Sequence, residues 1–355
     1  MAKRARSGMG KGTVGRGGRP TMDDVAKIAG VSKATVSRVL SGLEDGYAPA
    51  TASLVRETAQ RLGYVVNSVA ASLRNRQTRT VGLVVADVSN PFFGGIASGV
   101  EASLGEGGYS VIFANSGNMA EREKELVLLL AQKQIDGMIV ASSTSSGTHM
   151  LAAQSRGIAV VLVDSEIPSL DVDAVVIDNR AAAGAAVRHL IGHGHRRIAI
   201  VTGPLNASFD LQRLEGYREA LAMAGIAPRE DYVLRADLLA SGGERAVAEL
   251  ARLPERPTAL FVANNMMTLG ALVGLKKAGL RIPHDISLIA FDDQDWYSVL
   301  EPPVTGIVNP AYEMGRAAGD RMLLRLQCKG AAPAPEHIVL QASLMERGSV
   351  SRLRS

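Results

Sequence analysis

The spacing of apolar residues changes near Val81. Before this point apolar positions recur at helical spacing in short segments, and after it runs rich in Val, Ile and Leu alternate with helical segments. Continuous apolar runs, rather than strict alternation, are typical of strands that are covered on both faces of a parallel sheet. The pattern predicts a small helical domain followed by a larger α/β region.

Two short helices joined by a glycine-containing turn are predicted where the helical pattern begins. Thr21 and Asp24 have the spacing of a capping box, and Gly30 ends the first helix. Ser32 can cap a second helix whose apolar positions face inward. These features predict a helix-turn-helix unit, followed by a third amphipathic helix near 51–62.

The α/β region contains ten strand candidates, which is more than one ordinary doubly wound sheet holds. We therefore expect two lobes and the fold class α+α/β, with ligands bound outside the carboxyl ends of parallel strands. The candidates are 81–88, 109–115, 137–142, 159–164, 175–178, 197–202, 258–263, 286–291, 305–308 and 338–344.

Charge is distributed unevenly. Through Thr80 there are 14 Lys and Arg against 5 Asp and Glu, a net of +9, whereas the rest of the chain holds 25 against 30, a net of −5. A basic first fifth on an acidic body indicates a part that binds a polyanion and a separate domain with another task. Residues 1–20 are rich in Gly, Lys and Arg, so we expect a disordered basic tail there.

Composition excludes several classes of protein. The 46% apolar and 21% charged residues are typical of a chain with a sizeable core, and no apolar run approaches the ~18 residues that a membrane span needs. The first twenty residues do not have the pattern of a secretory signal, and one cysteine, Cys328, excludes an internal disulfide framework. We expect a soluble, cytoplasmic protein without membrane association.

From Thr21 almost to its end, the chain resembles the lactose-repressor (LacI/GalR) family of bacterial transcription regulators. The resemblance is carried by TMDDVAKIAGVSKATVSRVLSG at 21–42, NSVAASLRNRQTRTVGLVV at 67–85, SNPFF at 89–93, HLIGHGHRRIAIVTGP at 189–204, RLEGYREAL at 213–221, FVANN at 261–265 and FDD at 291–293. A helix-turn-helix followed directly by the hinge stretch is specific to this family. One departure is Asn265, which stands where Asp is common.

The resemblance implies a helix-turn-helix DNA-binding domain at 21–66, a hinge helix or linker at 67–80 and a two-lobed domain at 81–350 that resembles periplasmic binding proteins. Lobe 1 is expected at about 81–179 and 309–335, and lobe 2 at about 180–308 and 336–350.

The resemblance also assigns residues to DNA. Lys33 and Arg38 would donate to guanine, and Ala34 would contact a thymine methyl group, because a helix in the major groove presents such side chains to base edges. Contacts to phosphates would position the module without reading sequence. The remaining expected DNA-binding residues are Thr21, Ser32, Thr35, Ser37 and Asn67.

In the family the hinge folds on operator DNA and inserts a leucine into the minor groove. The aligned leucine is Leu73, and such a wedge unstacks one base step and bends the duplex. Composition alone is also compatible with a plain linker.

An effector pocket is implied between the lobes, lined by Phe92, Asp164, Arg213, Asn264 and Asp292, with Trp296 as a candidate second aromatic wall. Carboxylates accept hydrogen bonds from neighbouring hydroxyls, Arg and Asn donate, and an aromatic face covers the apolar side of a sugar ring. Trp296 can equally be a structural residue of the core.

No cofactor, metal or catalytic site is expected. GMGKGT at 8–13 lacks the spacing of a phosphate loop, and no nucleophile elbow or dinucleotide fingerprint is present. His189, His193 and His195 have no Cys or acidic partner near them in sequence.

Together these observations favour a sequence-specific regulator, and specifically a homodimeric repressor that binds double-stranded operator DNA with an inverted repeat. Its effector would be a sugar, polyol or sugar acid. Alternatives are a regulator with a nucleobase or another small metabolite as effector, and a sugar receptor without DNA function. The receptor would leave the basic region up to Thr80 unexplained.

Overall fold

A computed structural model describes residues 20–40, 46–64, 77–328, 330 and 333–353. The expected basic tail up to residue 19 and two expected DNA-binding residues, Asn67 and Leu73, lie outside the described residues. The chain divides into two compact units after Thr78, close to the boundary that the sequence pattern predicts.

The first unit contains three helices, α1 (Met22–Ala29), α2 (Lys33–Leu40) and α3 (Pro49–Leu62). The predicted capping box is confirmed, since Thr21 Oγ1 accepts from Asp24 N and the Asp24 carboxylate accepts from Thr21 N. Gly30 ends α1 with φ of 65°, a left-handed conformation that glycine adopts without steric cost. Apolar residues of all three helices meet in one small core, as the helical spacing predicts.

The second unit alternates strands and helices. In chain order these are β1 (Thr80–Val85), α4 (Pro91–Glu106), β2 (Ser110–Asn115), α5 (Ala120–Gln132), β3 (Gly137–Val140), α6 (Thr148–Gln154), β4 (Ala159–Val163), β5 (Asp173–Ile177), α7 (Asn179–Gly192), β6 (Ile198–Thr202), α8 (Ser208–Met223), β7 (Val233–Arg235), α9 (Ala240–Leu250), β8 (Ala259–Val262), α10 (Asn265–Lys277), β9 (Ser287–Phe291), β10 (Thr305–Val308), α11 (Ala311–Gln327), β11 (His337–Leu340) and β12 (Ser343–Met345).

The strands form two six-stranded sheets, one in each lobe. Sheet 1 has the order β11-β5-β4-β3-β1-β2 and is parallel throughout. Sheet 2 has the order β12-β10-β9-β8-β6-β7, and only its edge strand β12 is antiparallel. The central strands are almost fully buried, which accounts for their continuous apolar sequence.

The expected lobe boundary near the end of the chain is wrong. We expected one strand at 338–344 and placed 336–350 in lobe 2, but β11 pairs with β5 in sheet 1 and β12 pairs with β10 in sheet 2. Both halves of this stretch contain strand-forming residues, so the sequence pattern does not divide them. Only the strands with which they pair assign them to different lobes. The chain changes lobe at 341–342.

The chain therefore passes between the lobes three times, after β5, between β10 and α11, and between β11 and β12. Helix α7 packs on sheet 2, whereas α11 packs on sheet 1 and on α4. In the α4–α11 contact a Cβ atom on Gly99 would lie 2.1 Å from the carbonyl oxygen of Tyr312, so only glycine permits this approach.

Among the helices of the described residues, none has the length and apolar content that crossing a membrane requires.

Candidate functional site

Helix α2 presents its polar face to solvent. Lys33, Ala34 and Arg38 are exposed, whereas Val36 and Val39 on the opposite face are buried in the three-helix core. Positions 34 and 38 are one turn apart, so their side chains lie on the same face of the helix. The three residues expected to contact bases are thus on the one face of α2 that is open to a ligand.

Side chains at the start of α2 are already engaged in hydrogen bonds. Ser32 Oγ accepts from Thr35 N at 3.1 Å and lies 2.9 Å from Thr35 Oγ1, so Ser32 caps the helix. Lys33 Nζ donates to Asp23 Oδ2 at 2.8 Å, and both side chains are more than half exposed. Such a surface ion pair is weak, so a phosphate or a guanine can replace Asp23 as the partner of Lys33.

Two other residues of the expected DNA-binding set are Thr21 and Ser37. The hydroxyl of Thr21 is part of the α1 cap, and hydrogen bonds that the Thr21 hydroxyl and the Thr21 N–H donate to the Asp24 carboxylate hold the pKa of this carboxyl below its usual value. Ser37 is half-buried on α2.

In the second unit, a narrow cavity lies between the lobes at the carboxyl ends of the strands. Five of the six expected effector residues line it, namely Phe92, Asp164, Arg213, Asn264 and Asp292. They belong to distant parts of the sequence and come together because parallel strands present their carboxyl ends at one edge.

Trp296 is not among the described residues that line this cavity. Its ring packs edge-on against Tyr297, with 4.5 Å between ring centroids, and it is partly buried against the apolar core. Trp296 belongs to the short 3₁₀ helix at 295–299, and its role as a second aromatic wall stays a prediction. Aromatic walls come from Phe93 and Phe209.

Arg213 on α8 is the central cation of the cavity. Its Nε donates to Asn179 Oδ1 at 2.8 Å and its Nη1 donates to the carbonyl oxygen of Ala263 at 2.6 Å. The guanidinium carbon lies 3.7 Å from the ring centroid of Phe291, which is a cation–π arrangement. These contacts fix the position of the guanidinium before any ligand binds, and Nη2 has no hydrogen-bond partner among the described residues.

Asp164 and Asp292 occupy equivalent positions in the two lobes. Each is the first residue after a strand, β4 or β9, and each has positive φ, 66° and 64° respectively. Both carboxyl groups are buried, and burial raises the pKa of each. The pKa of Asp164 rises to about 7, since Arg213 offsets only part of the effect of burial and the neighbouring carboxylates add to it.

Asp210 is a third carboxyl group beside Arg213 that sequence reasoning missed. It lies one helical turn before Arg213 and against the backbone N–H groups of Gly203 and Leu205. Burial raises its pKa to about 6, and its charge contributes to the raised pKa of Asp164. A signal was present, because an Asp three residues before an expected ligand-binding Arg lies on the same helical face.

Two asparagines at the cavity also cap helices. Asn90 Oδ1 accepts from Phe92 N at the start of α4, and Asn264 Oδ1 accepts from Met267 N at the start of α10. Capping uses the oxygen of each amide and fixes its orientation. The Nδ2 group of Asn264 is left to donate to a ligand.

The cavity therefore combines acceptors, donors and aromatic rings. Asp164 Oδ1 is buried without a hydrogen-bond partner among the described residues, and an unpaired buried carboxylate oxygen is unfavourable unless a ligand or water supplies a donor. The Phe92 and Phe93 rings meet edge to face with centroids 5.3 Å apart. Such a site is suited to a small molecule with several hydroxyl groups and one apolar face.

Comparison with known families agrees with this architecture. Residues 21–67 match the model described as "Bacterial regulatory proteins, lacI family", and residues 78–342 match "Periplasmic binding proteins and sugar binding domain of LacI family". The second match alone covers more than half of the chain.

Similar proteins extend over nearly the whole chain. The HTH-type transcriptional repressor CytR of Escherichia coli (strain K12) is 35% identical over 94% of this chain and 97% of its own length. A transcriptional regulator CelR–cellobiose complex has a TM-score of 0.70 with 34% identity, covering 93% of this chain and 100% of that one. The Lac repressor dimer bound to operator and the anti-inducer ONPF has a TM-score of 0.82 with 26% identity, covering 94% and 100%.

Proposed function

Because the chain belongs to the lacI family of bacterial regulatory proteins, we propose that it is a homodimeric repressor that binds an inverted-repeat operator and is controlled by a small polyhydroxylated effector. The observation that carries the proposal is the cavity between the lobes, where the buried carboxyl groups of Asp164 and Asp292 flank the fixed guanidinium of Arg213.

The proposal for DNA rests on the exposed face of α2. Arg38 and Lys33 supply donors for guanine, and Ala34 is small enough to let the helix approach a thymine methyl group. The cap residues Ser32 and Thr35 lie at the positive end of the helix, where backbone N–H groups favour a phosphate. Asn67 and Leu73, outside the described residues, are proposed from the sequence alone to contact the backbone and the minor groove.

The size of α2 supports the proposal of a dimer. One short helix such as α2 contacts only a few base pairs, and two-fold dimers read two half-sites that are related by the same symmetry. The solved Lac repressor is a dimer on its operator, which supports the same assembly for this chain.

The effector class is inferred from the chemistry of the cavity. Carboxylates accept from vicinal hydroxyls, the guanidinium and the Asn264 amide donate, and Phe92 and Phe93 offer apolar contact. The CelR structure holds cellobiose, which supports a sugar, polyol or sugar acid. The effector is bound and released unchanged, so the proposed activity is regulation and not catalysis.

A nucleobase effector is the second candidate, and one observation bears on it. A repressor named PurR, from Aliivibrio salmonicida, is 32% identical over 87% of this chain. However, the purine-binding branch has Arg and Thr at the positions of Ala207 and Phe209, and in this protein Phe209 lines the cavity as an aromatic wall. This difference favours the polyhydroxylated ligand.

The test has two steps. First, the purified full chain is screened by thermal shift against sugars, polyols, sugar acids and nucleosides, because a ligand at 100 times its Kd stabilises the folded state by about 2.7 kcal/mol. A polyhydroxylated compound should raise the Tm, and stabilisation by nucleosides alone would contradict the effector class.

Second, operator binding is titrated by fluorescence anisotropy with and without the compound found. The full chain should bind an inverted repeat as one dimer, and about half a helical turn of DNA inserted between the half-sites should abolish tight binding, because the two α2 helices then face opposite sides of the duplex. Equal affinity for both spacings would contradict the dimeric reading, and unchanged affinity with saturating compound would contradict control by it.

A further inference from the structure

A second cluster of polar side chains lies in lobe 2, away from the effector cavity. His189 and His193 are one turn apart at the end of α7, and Glu346 directly follows strand β12. One potential ligand atom from each of the three side chains lies within 4.8 Å of the other two. Glu346 is far from both histidines in sequence, so only the fold brings it to them.

The hydrogen bond of the His193 ring uses Nδ1 and leaves Nε2 available. His193 Nδ1 lies 2.9 Å from the carbonyl oxygen of His189, and a carbonyl can only accept, so Nδ1 carries the proton and Nε2 keeps a lone pair. In metal sites the same second hydrogen bond, from the distal ring nitrogen to a carbonyl, commonly orients a ligating histidine.

His189 contributes the second candidate nitrogen ligand, its Nε2. Its Nε2 is inaccessible to solvent and has no hydrogen-bond partner among the described residues. An unpaired buried polar atom is unfavourable, and a bound metal ion would supply the missing partner.

We propose that His189, His193 and Glu346 bind one Zn²⁺ ion, with water as the fourth ligand. Two imidazoles and one carboxylate are a common set of protein ligands for this ion, which prefers four ligands in a tetrahedron. Neither the family resemblance nor the effector cavity requires such a site.

The geometry needs only a small adjustment. Zinc–nitrogen and zinc–oxygen distances of about 2.0–2.2 Å place tetrahedral ligand atoms about 3.4 Å apart. The histidine rings already lie with centroids 4.4 Å apart at an angle of 37°. Glu346 is exposed, so its side chain is free to rotate towards the two histidines.

The ion would connect two segments that both adjoin lobe crossings. Helix α7 follows the first crossing and β12 follows the third. A zinc bound to both would fasten the C-terminal strand to the helix that packs on it, and would stabilise lobe 2 as any ligand of the native state does.

The first measurement is metal binding by the untagged, metal-free full chain. Isothermal titration with Zn²⁺ should give one site per chain, and substitution with Co²⁺ should give the intense visible absorption of a four-coordinate complex. The Tm should rise with Zn²⁺. Absence of a stoichiometric site in the titration overturns the proposal.

The second measurement uses His193→Gln and Glu346→Gln, which change half-buried and exposed side chains and therefore preserve the core. Each should weaken zinc binding by at least about tenfold, because even loss of an outer partner of a ligand weakens binding about 10- to 100-fold. The four-coordinate Co²⁺ spectrum should be lost in both.

Two matched controls complete the design. His284→Gln changes an exposed histidine outside the cluster, and Cys328→Ser removes the only thiol; both should bind zinc as the wild type does. Operator binding by all variants reports that they are folded. Wild-type zinc affinity in His193→Gln or Glu346→Gln, or loss of the site in either control, overturns the assignment.

Discussion

The side-chain amide of Asn265 donates a 2.8 Å hydrogen bond to Asn90 Oδ1, and this buried bond joins the two lobes. Asn90 caps α4 in lobe 1 with the same oxygen, and Asn265 is the first residue of α10 in lobe 2. Asp is common in the family at the position of Asn265, and an ionised Asp has no N–H to donate. This chain therefore has a direct contact between the lobes at the rim of the cavity.

Asn265→Ala should weaken effector binding about fivefold. The substitution removes a hydrogen bond of about 1 kcal/mol between the lobes, so this arrangement of the lobes around the cavity becomes less favourable by that amount. Isothermal titration of the effector measures the change. Asn206→Ala, at an exposed asparagine in the loop before α8, is the matched control, and equal affinity in the two variants would show that the bond does not contribute to closure.

Arg38→Ala should weaken binding to the operator by about 1–3 kcal/mol, the usual contribution of a bidentate contact to guanine, while binding to unrelated DNA changes much less. The reason is that Arg38 is exposed on the reading face of α2 and packs in no core. Anisotropy titrations on both DNAs check this. Arg56→Ala removes an equal charge from the exposed side of α3; if it reduced specificity as much as Arg38→Ala, general charge would be the cause.

Leu73→Ala tests the proposed minor-groove wedge. Operator affinity should fall and the bend of the bound DNA should decrease, because an apolar side chain that unstacks a base step is lost. Effector binding should remain unchanged. Gel-shift and bending assays on the same operator fragments make the measurement, and an undiminished bend would leave 67–76 as a plain linker.

Asp292→Ala should lower effector affinity by roughly 30- to 1000-fold, because a charged hydrogen-bond partner in a desolvated cavity contributes about 2–4 kcal/mol. Operator binding should persist, since Asp292 belongs to the second unit and α2 to the first. Asp295→Ala, at an exposed carboxylate three residues later, should bind effector normally. Near wild-type effector affinity in Asp292→Ala would remove this residue from the site.

The raised pKa of Asp164 predicts a pH-dependent stability. A carboxyl group whose pKa is about 7 when folded and near its ordinary value of about 3.9 in the unfolded chain binds more protons in the folded state between these values. Its contribution to the free energy of unfolding is therefore present at low pH and is lost as the pH rises through about 7.

Asp164→Asn removes this titration. The Tm of the variant minus that of the wild type, both without effector, should become more positive between about pH 5 and pH 8. Thermal denaturation across this range measures the difference. Asp171→Asn, at an exposed position, controls for the loss of a carboxyl group as such, and a flat difference for Asp164→Asn would contradict the raised pKa of Asp164.

Local chemistry made several elements predictable from the sequence. The α1 cap depends on Thr21 and Asp24 alone, three residues apart, so spacing is enough to predict it. The family resemblance assigns Asp164 and Asp292 to the cavity, and each also lies at the carboxyl end of a predicted strand, which is a local property of the sequence.

Other features depend on partners that spacing does not reveal. The stretch 338–344 has one continuous strand pattern, and only pairing with β5 and then with β10 divides it between the lobes. Trp296 has an aromatic ring of the kind that can cover a sugar, but this ring packs against Tyr297. Glu346 approaches His189 through the tertiary fold, so no sequence window contains the cluster.

The three passages of the chain between the lobes limit how the lobes can move. Two lobes joined by one segment of chain can rotate about several axes. Three neighbouring connections leave mainly one hinge rotation between the lobes. Any ligand that alters this rotation must bend all three connections together, including the one that reaches β12 near the C-terminus. The segment 341–342 therefore belongs to the set of connections through which one lobe turns against the other.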